Sequence, residues 1–313
     1  MTGQDTKRAE YNTPAVSIVV TCYNYGKYLS DCISSVLAQA YDDYEIIIVN
    51  DGSTDDSHEV VQPFLSDPRI RYIHQENAGQ ANAKNTGTRN AKGQFIAFLD
   101  ADDQWHSTKL EKQIPLFEDP KVGVVYSRAR YIDERGRDLD LTLTGKYLQP
   151  RAGRATNSLI FDNFIPFSSS VVRRECLEQY GSFDESIYMG IDWDLWLRIS
   201  TKYDFAYVDE PLLFYRLGHS GQMSKNMEKR YRCSDVIMKK FFTLYPDILD
   251  KTLISEAFLH TYCGRAYYYS KQGNLRQAVK YNWKALGQNP SRFVLYKYFI
   301  ENIVRSLLRA AKK

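Results

Sequence analysis

The stretch Gln94-Phe-Ile-Ala-Phe-Leu-Asp-Ala-Asp-Asp103 decides the fold class, because an apolar strand in it runs directly into three carboxylates. The pattern of an apolar run followed by a polar turn occurs twice upstream. Val16–Val20 leads into Thr21–Gly26, and Tyr44–Val49 leads into Asn50–Asp55. Continuous apolar strands are typical of a parallel sheet that is buried on both faces. The carboxyl ends of such strands share one edge of the sheet, where open α/β folds bind their ligands.

Helical periodicity fills the gaps between these strands. Apolar residues recur at helical spacing over Leu29–Ala38, around Ser57–Leu65 and over Ala81–Ala91, and Ile70–His74 predicts one more short strand. Strands that alternate with helices indicate an α/β fold with a mainly parallel sheet flanked by helices.

The composition is that of an ordinary globular protein. Of the 313 residues, 43% are hydrophobic and 25% are charged, which excludes a disordered or fibrous chain. No apolar run approaches the roughly 18 residues of a membrane span, and residues 1–14 lack the apolar stretch of a signal peptide. Five cysteines without a C-x-x-C pair argue against a disulfide framework or a zinc site. We therefore expect a cytoplasmic protein.

The charge is distributed unevenly along the chain. Residues 225–313 contain 18 Lys and Arg against 6 Asp and Glu, whereas residues 1–224 contain 23 against 32. The strand signals also stop at Lys225. We therefore predict two domains, an α/β domain over 1–224 and a small basic helical appendage over 225–313. No recognised nucleic-acid-binding motif accompanies the basic charge, so we expect no nucleic acid as a partner.

The appendage is predicted to contain four helices. Their apolar periodicity covers Tyr231–Leu244, Leu253–Gln272, Leu275–Leu286 and Phe293–Lys312. The segment 266–290 resembles one tetratricopeptide-like helical hairpin, which as a single copy has to pack on its neighbours.

The last of these helices carries a broad apolar stripe beside basic residues. The stripe consists of Leu295, Phe299, Ile300, Ile303, Val304, Leu307 and Leu308. A helix of this kind either lies on an anionic membrane surface or docks on its own protein with its basic face in water. The sequence leaves both alternatives open, and the first would hold the protein at the inner face of the membrane.

The polar turns at the sheet edge indicate how a nucleotide would bind. The sequence contains neither G-x-x-x-x-G-K-[ST] nor G-x-G-x-x-G, so the common phosphate-binding loops lack support. An acidic site can bind a nucleoside diphosphate only through a divalent cation such as Mg²⁺ or Mn²⁺. D-x-D triplets occur at residues 100–102, 138–140 and 192–194, and only the first directly ends a strongly apolar strand.

Seven short motifs follow one another along the chain. They are Val16–Tyr25, Ile46–Asp55, Asn77–Gly79, Lys84–Gly87, Phe95–Asp103, Gly181–Glu185 and Asp192–Arg198. In this order they resemble the family 2 glycosyltransferases of GT-A fold, of the type that builds bacterial surface polysaccharides, over about residues 14–224. The resemblance implies a nucleoside-diphosphate-sugar donor, usually a UDP-sugar, and inversion at the anomeric carbon.

The resemblance also implies a set of residues that bind the nucleotide sugar. Carried over by motif position, they are Thr21, Tyr23, Asn24, Asp51, Asn77, Lys84, Asp100, Ala101 and Asp102. Within this set Asp51 would accept a hydrogen bond from the base, Asp100 would contact the ribose and Asp102 would hold the metal against the diphosphate. Lys84 stands near the donor phosphates where the family often has Arg, so a point charge replaces a planar fork there.

The resemblance further implies that Asp192 is the general base that takes the proton of the acceptor hydroxyl. The residue before it is usually acidic in the family, whereas here it is Ile191. A paired carboxylate that could raise the pKa of the base by like-charge repulsion is therefore missing at that position. From its position alone, Asp192 could equally be an acidic residue that stabilises a helix N-terminus.

Three further residues are candidates for the acceptor side and the metal. Trp196 and Arg198 would orient the helix that follows Asp192 or shape the acceptor pocket, and His219 could close over the metal as a late ligand. A lone His is otherwise more often a packing or surface residue. The Q-x-x-R-W segment of the family's processive members is absent, so we expect one sugar to be added per encounter.

These observations predict a metal-dependent, inverting glycosyltransferase that moves a sugar onto a hydroxyl of a glycan or a lipid-linked glycan. A sugar nucleotidyltransferase is one alternative, but it would need a glycine-rich loop, and Thr21–Gly26 contains a single Gly. A non-catalytic nucleotide-sugar-binding module is the other, and Ile191 makes it conceivable. Release of pyrophosphate instead of UDP would indicate the first alternative, and donor binding without UDP release the second.

Overall fold

A computed structural model of the chain describes residues 13–141, 149–219, 221–222 and 226–310. Within these ranges, no helix combines the length and the apolar character that a membrane span requires. All five cysteines lie in the described ranges and none is bonded to another, as expected for a chain without a disulfide framework.

The described residues form two compact units. The first consists of the described residues up to 155 and of 164–237, and the second of 156–163 and 238–310. The division falls inside one long helix, Met227–Leu244. The domain boundary after residue 224 stays a prediction.

The first unit is built around one mixed sheet. Its strands in the described residues are β1 (Val16–Cys22), β2 (Tyr44–Asp51), β3 (Ile70–Gln75), β4 (Phe95–Asp100), β5 (Gln104–Trp105), β6 (Val122–Ile132), β7 (Val171–Arg173) and β8 (Asp204–Arg216). Their order across the sheet is β3-β2-β1-β4-β7-β6-β8-β5. The four strands β3, β2, β1 and β4 are parallel to one another. β7 is antiparallel to its neighbours β4 and β6. β8 runs parallel to β6, and β5 is antiparallel to β8. The predicted α/β fold with a mainly parallel sheet is therefore confirmed.

Helices connect these strands and form most of the C-terminal part of the chain. In chain order they are α1 (Gly26–Leu37), α2 (Ser57–Val61), α3 (Gln80–Asn90), α4 (Lys109–Gln113), α5 (Thr156–Leu159), α6 (Arg174–Tyr180), α7 (Ile191–Ser200), α8 (Met227–Leu244), α9 (Lys251–Lys271), α10 (Leu275–Gln288) and α11 (Val294–Ala310). The helix predicted around Ser57–Leu65 is α2 followed by a 3₁₀ segment, Gln62–Ser66. Pro63 lacks the N–H that a continued α-helix would use.

The centre of the sheet sets the register of the strand ends. The apolar segments of β1, β2 and β4 are almost completely buried, as their continuous apolar sequences predict. Thr21 of β1 pairs with Asp100 of β4, and Cys22 of β1 pairs with Asn50 of β2. The three strands therefore end side by side, and the polar turns that follow them meet at one edge.

The second unit contains three long helices, and α10 packs against both α9 and α11. Two of them begin with a side-chain cap. Asp250 accepts a hydrogen bond from the amide of Leu253 (2.8 Å) at α9, and Asn274 accepts one from the amide of Gln277 (3.2 Å) at α10. The four helices predicted for the C-terminal region are all present, with ends that differ by a few residues.

The turn after β2 requires a glycine. Gly52 has a φ angle of +72°, which residues with a side chain rarely adopt. A Cβ at this position would also lie 2.6 Å from the backbone nitrogen of Asn77. Both the backbone conformation and the close approach of a second loop therefore depend on the missing side chain.

We expect Gly52→Ala to lower the free energy of unfolding of the first unit by about 2–3 kcal/mol, because it adds steric overlap to backbone strain. Gly153→Ala is the matched control, since Gly153 has a φ angle of +76° but no atom within 4 Å of the added Cβ. The control should lose only the conformational part, about 1–2 kcal/mol. Urea unfolding followed by circular dichroism compares the two, and equal losses would contradict the role of the close approach.

Candidate active site

The strand ends bring a buried cation to the first carboxylate of the D-x-D triplet. The Nζ atom of Lys84 on α3 lies 2.6 Å from Oδ1 of Asp100 and 3.0 Å from Oγ1 of Thr21. Lys84 is 3% exposed, and its ammonium group lies 4.7 Å from the ring centroid of Phe167. Lys84 therefore neutralises Asp100 directly. Its predicted contact with donor phosphates stays a prediction.

The loop between β3 and α3 donates hydrogen bonds to the carboxylate of Asp51 at the end of β2. Asp51 accepts hydrogen bonds from the side chain of Gln75 (2.7 Å) and from the backbone amides of Ala78 and Gly79 (both 2.9 Å). The side-chain amide of Asn77 donates to the carbonyl of Asp51 (3.0 Å). Two carboxylate oxygens offer about four acceptor positions, so one remains for a further donor such as the N–H of a nucleobase.

The loop after β1 is joined to the loop after β2. Asn24 has a φ angle of +57°, a left-handed conformation that Asn tolerates better than most residues. Its backbone amide donates to Oγ of Ser53 (2.9 Å), and its side-chain oxygen accepts from the amide of Thr54 (2.8 Å). Tyr23, next to it, exposes 48% of its surface. This leaves an aromatic ring accessible at the edge where the nucleoside is predicted to bind.

The second carboxylate of the triplet faces a histidine. Nε2 of His219 lies 3.0 Å from Oδ2 of Asp102, and both side chains are largely buried. The preceding residue, Ala101, is completely buried, so it can contribute only its backbone. The ring of His219 packs edge-on against that of Tyr25, with 5.4 Å between centroids. Asp102 and His219, 117 residues apart in the sequence, therefore lie side by side. That they hold a metal stays a prediction.

The third carboxylate, Asp103, is fixed by the end of β8. It is buried and accepts a hydrogen bond from the backbone amide of Arg216 (2.9 Å). The guanidinium of Arg216 donates to the carbonyl of Asp102 (2.8 Å) and to that of Asp133 (3.0 Å). Arg216 lies three residues before His219, so one strand end positions both sides of the Asp102–His219 contact.

The electrostatics of this region favour a bound cation. Burial, and then the charge of Asp102, hold the pKa of the Asp103 carboxyl well above its usual range. Burial followed by repulsion from the carboxylates also raises the pKa values of Tyr25 and Tyr215. No group of three or more His, Cys, Asp or Glu side chains gathers as a metal site in the described ranges. The metal-ligand roles of Asp102 and His219 stay predictions, and phosphate and water oxygens would have to complete the shell that Mg²⁺ or Mn²⁺ needs.

The predicted base lies at the start of α7. Gly190 caps the helix with a φ angle of +78°, and Asp192 follows in the first turn. Asp194, two residues on, is buried and pairs with Arg198 through two hydrogen bonds of 2.8 and 3.0 Å. Asp194 is thus neutralised within the helix. It does not take the place of the acidic neighbour that Ile191 replaces.

The two predicted acceptor-side residues are interior. Trp196 is completely buried, with its ring 6.4 Å from that of Phe205. Arg198 donates to the carbonyls of Tyr180, Gly181 (3.0 Å) and Ser182 (2.8 Å). Both side chains hold α7 in place, so any influence on an acceptor would pass through the position of the helix. Their share in acceptor binding stays a prediction.

Comparison with known proteins decides the family. A family model described as glycosyl transferase family 2 matches residues 17–181, more than half of the chain. The chain belongs to glycosyl transferase family 2. A Rickettsia felis protein named as an uncharacterized glycosyltransferase is 30% identical over 236 residues. That match covers 73% of this chain but only 38% of the relative, so this glycosyltransferase spans about two fifths of the relative's length.

Solved structures share the GT-A fold of this glycosyltransferase. Residues 1–349 of S. aureus TarS, in complex with UDP-GlcNAc, superpose with a TM-score of 0.68 at 15% identity, over 93% of this chain and 89% of that one. The mannosyltransferase PcManGT from Pyrobaculum calidifontis, in complex with GDP-Man and Mn²⁺, gives 0.58 at 18% identity, over 95% and 88%. Identities this low establish the fold alone.

Three residues of the sequence motifs, Asn85, Phe183 and Glu185, received no role from them. Asn85 on α3 exchanges two hydrogen bonds with the backbone of Phe183 (2.9 and 3.0 Å) and donates to Glu185 (2.8 Å). Asn82 donates to the other oxygen of Glu185 (3.0 Å). Hydrogen bonds from Asn82 and then Asn85 lower the pKa of Glu185. Helix α3, which carries Lys84, therefore also holds the segment that leads into α7.

We expect Lys84→Met to lower the free energy of unfolding by about 1–3 kcal/mol, because Asp100 loses a buried partner while it remains about a third exposed. Lys112→Met is the matched control, since Lys112 pairs with Glu210 where both side chains are exposed. The control should cost less than about 1 kcal/mol. Urea unfolding measures both, and equal small losses would contradict the structural role of Lys84.

Proposed function

We propose that this glycosyltransferase transfers a sugar from a nucleoside-diphosphate sugar, with a UDP-sugar favoured, to a hydroxyl of a glycan or lipid-linked glycan. The transfer would invert the anomeric carbon and depend on a divalent cation. The observation that carries the proposal is the convergence of Asp102 and His219, 3.0 Å apart, beside the Lys84–Asp100 pair at the sheet edge. Because an edge rich in carboxylates repels a free anion, a diphosphate would bind there only together with a metal cation.

The nucleoside half of the donor would lie over the first two strand ends. Asp51 keeps an acceptor position for the base, and Tyr23 offers an exposed ring for stacking. Asp100, whose side chain is 35% exposed, would accept a hydrogen bond from a ribose hydroxyl. The contacts of Asn24 and Asn77 keep the two loops in place around these groups. The family resemblance favours uridine, and TarS, whose fold is similar, was solved with UDP-GlcNAc.

The diphosphate half would face Asp102 and His219. These two residues would hold Mg²⁺ or Mn²⁺, which when bound neutralises the charge that develops on the departing diphosphate. The guanidinium of Arg216 holds the Asp102 backbone in position through a hydrogen bond to its carbonyl. The raised pKa of the Asp103 carboxyl limits the negative charge next to Asp102. The side chains thus hold their positions before the donor arrives, which is the preorganisation that electrostatic catalysis requires.

Asp192 would take the proton from the attacking acceptor hydroxyl. Its support comes from placement, since the hydrogen bonds of Asn85 and Glu185 tie the segment before α7 to the donor-side helix α3. Direct attack by the acceptor, assisted by one base, forms the new glycosidic bond as the bond to the diphosphate breaks, and the anomeric carbon inverts.

We propose that the enzyme works in the cytoplasm on a glycan or lipid-linked glycan, with peripheral contact at the inner membrane face through its C-terminal helix. The support is the excess of basic residues after Lys225. The same contact would bring a soluble donor and a lipid-linked acceptor to one surface.

We expect Asp192→Asn to reduce sugar transfer by a factor of about 10²–10⁴, because the general base is lost. Donor binding should not change, since Asp192 would not touch the nucleotide. UDP release from a panel of UDP-sugars, offered p-nitrophenyl glycosides as acceptor probes, measures transfer, and a thermal shift with UDP and Mn²⁺ measures binding.

Asp140→Asn is the matched control, because Asp140 is an exposed carboxylate in another D-x-D triplet. Full transfer by Asp192→Asn would remove Asp192 from the reaction. Nucleotide binding by the wild type without UDP release would favour the non-catalytic binding module. Pyrophosphate release from UTP and a sugar 1-phosphate would favour the nucleotidyltransferase.

A further inference from the structure

Helix α11 packs on the rest of the second unit with a side that contains both apolar and polar residues. Leu295, Asn302 and Ser306 are its buried residues. Asn302 accepts a hydrogen bond from Ser270 of α9 (3.1 Å) and donates one to Asn282 of α10 (3.2 Å). Buried amides are costly when they lose their partners, so these bonds fix which side of α11 faces the unit.

The opposite side of α11 is apolar and exposed. Successive residues of a helix are about 100° apart, so Ile300, Val304, Leu307 and Leu308 lie on the side away from the buried residues. Ile300 exposes 64% of its surface and Leu308 exposes 60%, while Phe293, directly before the helix, exposes 87%. We call these five residues the outer face of α11.

This arrangement bears on the two alternatives that the sequence leaves open for the last helix. The helix docks on its own protein. Of the residues in the apolar stripe, only Leu295, Phe299 and Ile303 are buried or half-buried in this contact. The other four members of the stripe stay in water. A contiguous exposed apolar face of this kind marks an interaction surface.

Amphipathic rings border the outer face. Trp283 of α10 is exposed, and its ring lies edge-on to that of Phe299 with 5.4 Å between centroids. Tyr296 is exposed near the start of α11, next to the outer face. Trp and Tyr concentrate where lipid headgroups meet hydrocarbon, because one part of each side chain is apolar and the other is polar. The border therefore favours a lipid surface.

The charge of the unit favours anionic lipid. Residues 238–310 contain 12 Lys and Arg against 4 Asp and Glu. Lys297, whose side chain is 75% exposed, lies on the same side of α11 as the outer face, 4.0 Å from Glu301. Arg309 is exposed near the C-terminal end of the helix, close to Gly273. Basic residues beside an apolar face are attracted to anionic headgroups. Two copies of a unit with this excess of basic residues would repel each other, which disfavours a second copy of the chain as the occupant.

We propose that the outer face of α11 binds the surface of an anionic lipid bilayer. The helix would lie in the plane of the membrane, with its apolar side chains below the headgroups and with Lys297 among the lipid phosphates. This inference rests on the peripheral membrane contact proposed above and assigns that contact to one face of α11. Binding requires no transferase activity, so its failure and the failure of the proposed sugar transfer are distinguishable.

Vesicle flotation of the full chain tests this inference, with vesicles of phosphatidylcholine alone and of phosphatidylcholine mixed with phosphatidylglycerol. The test variant, Leu307→Gln/Leu308→Gln, changes two exposed residues, and circular dichroism checks that its helices remain folded. The matched control, Val236→Gln/Leu244→Gln, changes two exposed aliphatic residues of α8. Light scattering of each protein without lipid reports its oligomeric state.

We expect the wild type and the control to float with anionic vesicles, and to stay unbound with phosphatidylcholine alone or at high ionic strength. The test variant should bind anionic vesicles at least about tenfold more weakly, because buried methylene groups supply much of the affinity. Equal flotation of test variant and control, flotation with phosphatidylcholine alone, or no flotation of the wild type would overturn the proposal. An oligomer that the test variant loses would assign the outer face to a second copy and would also overturn it.

Discussion

Asp100, Asp102 and Asp103 follow one buried strand within four residues, and the repulsion among their carboxylates is the constraint on which the site depends. The chain offsets this repulsion at each position in a different way. The buried Lys84 forms an ion pair with Asp100, and His219 faces Asp102. Burial raises the pKa of Asp103, which favours its protonated form. The fold can therefore tolerate an acidic edge, where the proposed diphosphate would need a bridging cation.

Residues far apart in the sequence supply these compensating groups. Arg216, at the end of β8, reaches the carbonyl of Asp102 and precedes His219 by three residues. Helix α3 supplies Lys84 to the donor side and, one residue later, Asn85 to the segment before α7. Helix α3 therefore joins the proposed donor side to the proposed acceptor side.

Half of the sheet could be predicted from the sequence, because the continuous apolar runs of β1, β2 and β4 are a local signal. The other half could not. β7 is three residues long, β8 is buried only in part, and the pairing of β6 with β8 contains register shifts. The contacts of Asn85 with Phe183 and of Arg216 with Asp102 join residues about a hundred positions apart, where no periodicity reports them. Likewise the stripe of α11 is visible in the sequence, but its docking side depends on the partners of Asn302 in two other helices.

The central claim is that the sheet edge binds a nucleoside diphosphate through a cation held by Asp102. A calorimetric titration of UDP, with Mn²⁺ and then with EDTA, tests it on the wild type and on Asp102→Asn. We predict binding to the wild type that is at least about tenfold tighter with Mn²⁺, and no such difference in the variant. Equal affinity of the wild type in Mn²⁺ and in EDTA, or an unchanged dependence on Mn²⁺ in Asp102→Asn, would contradict the account.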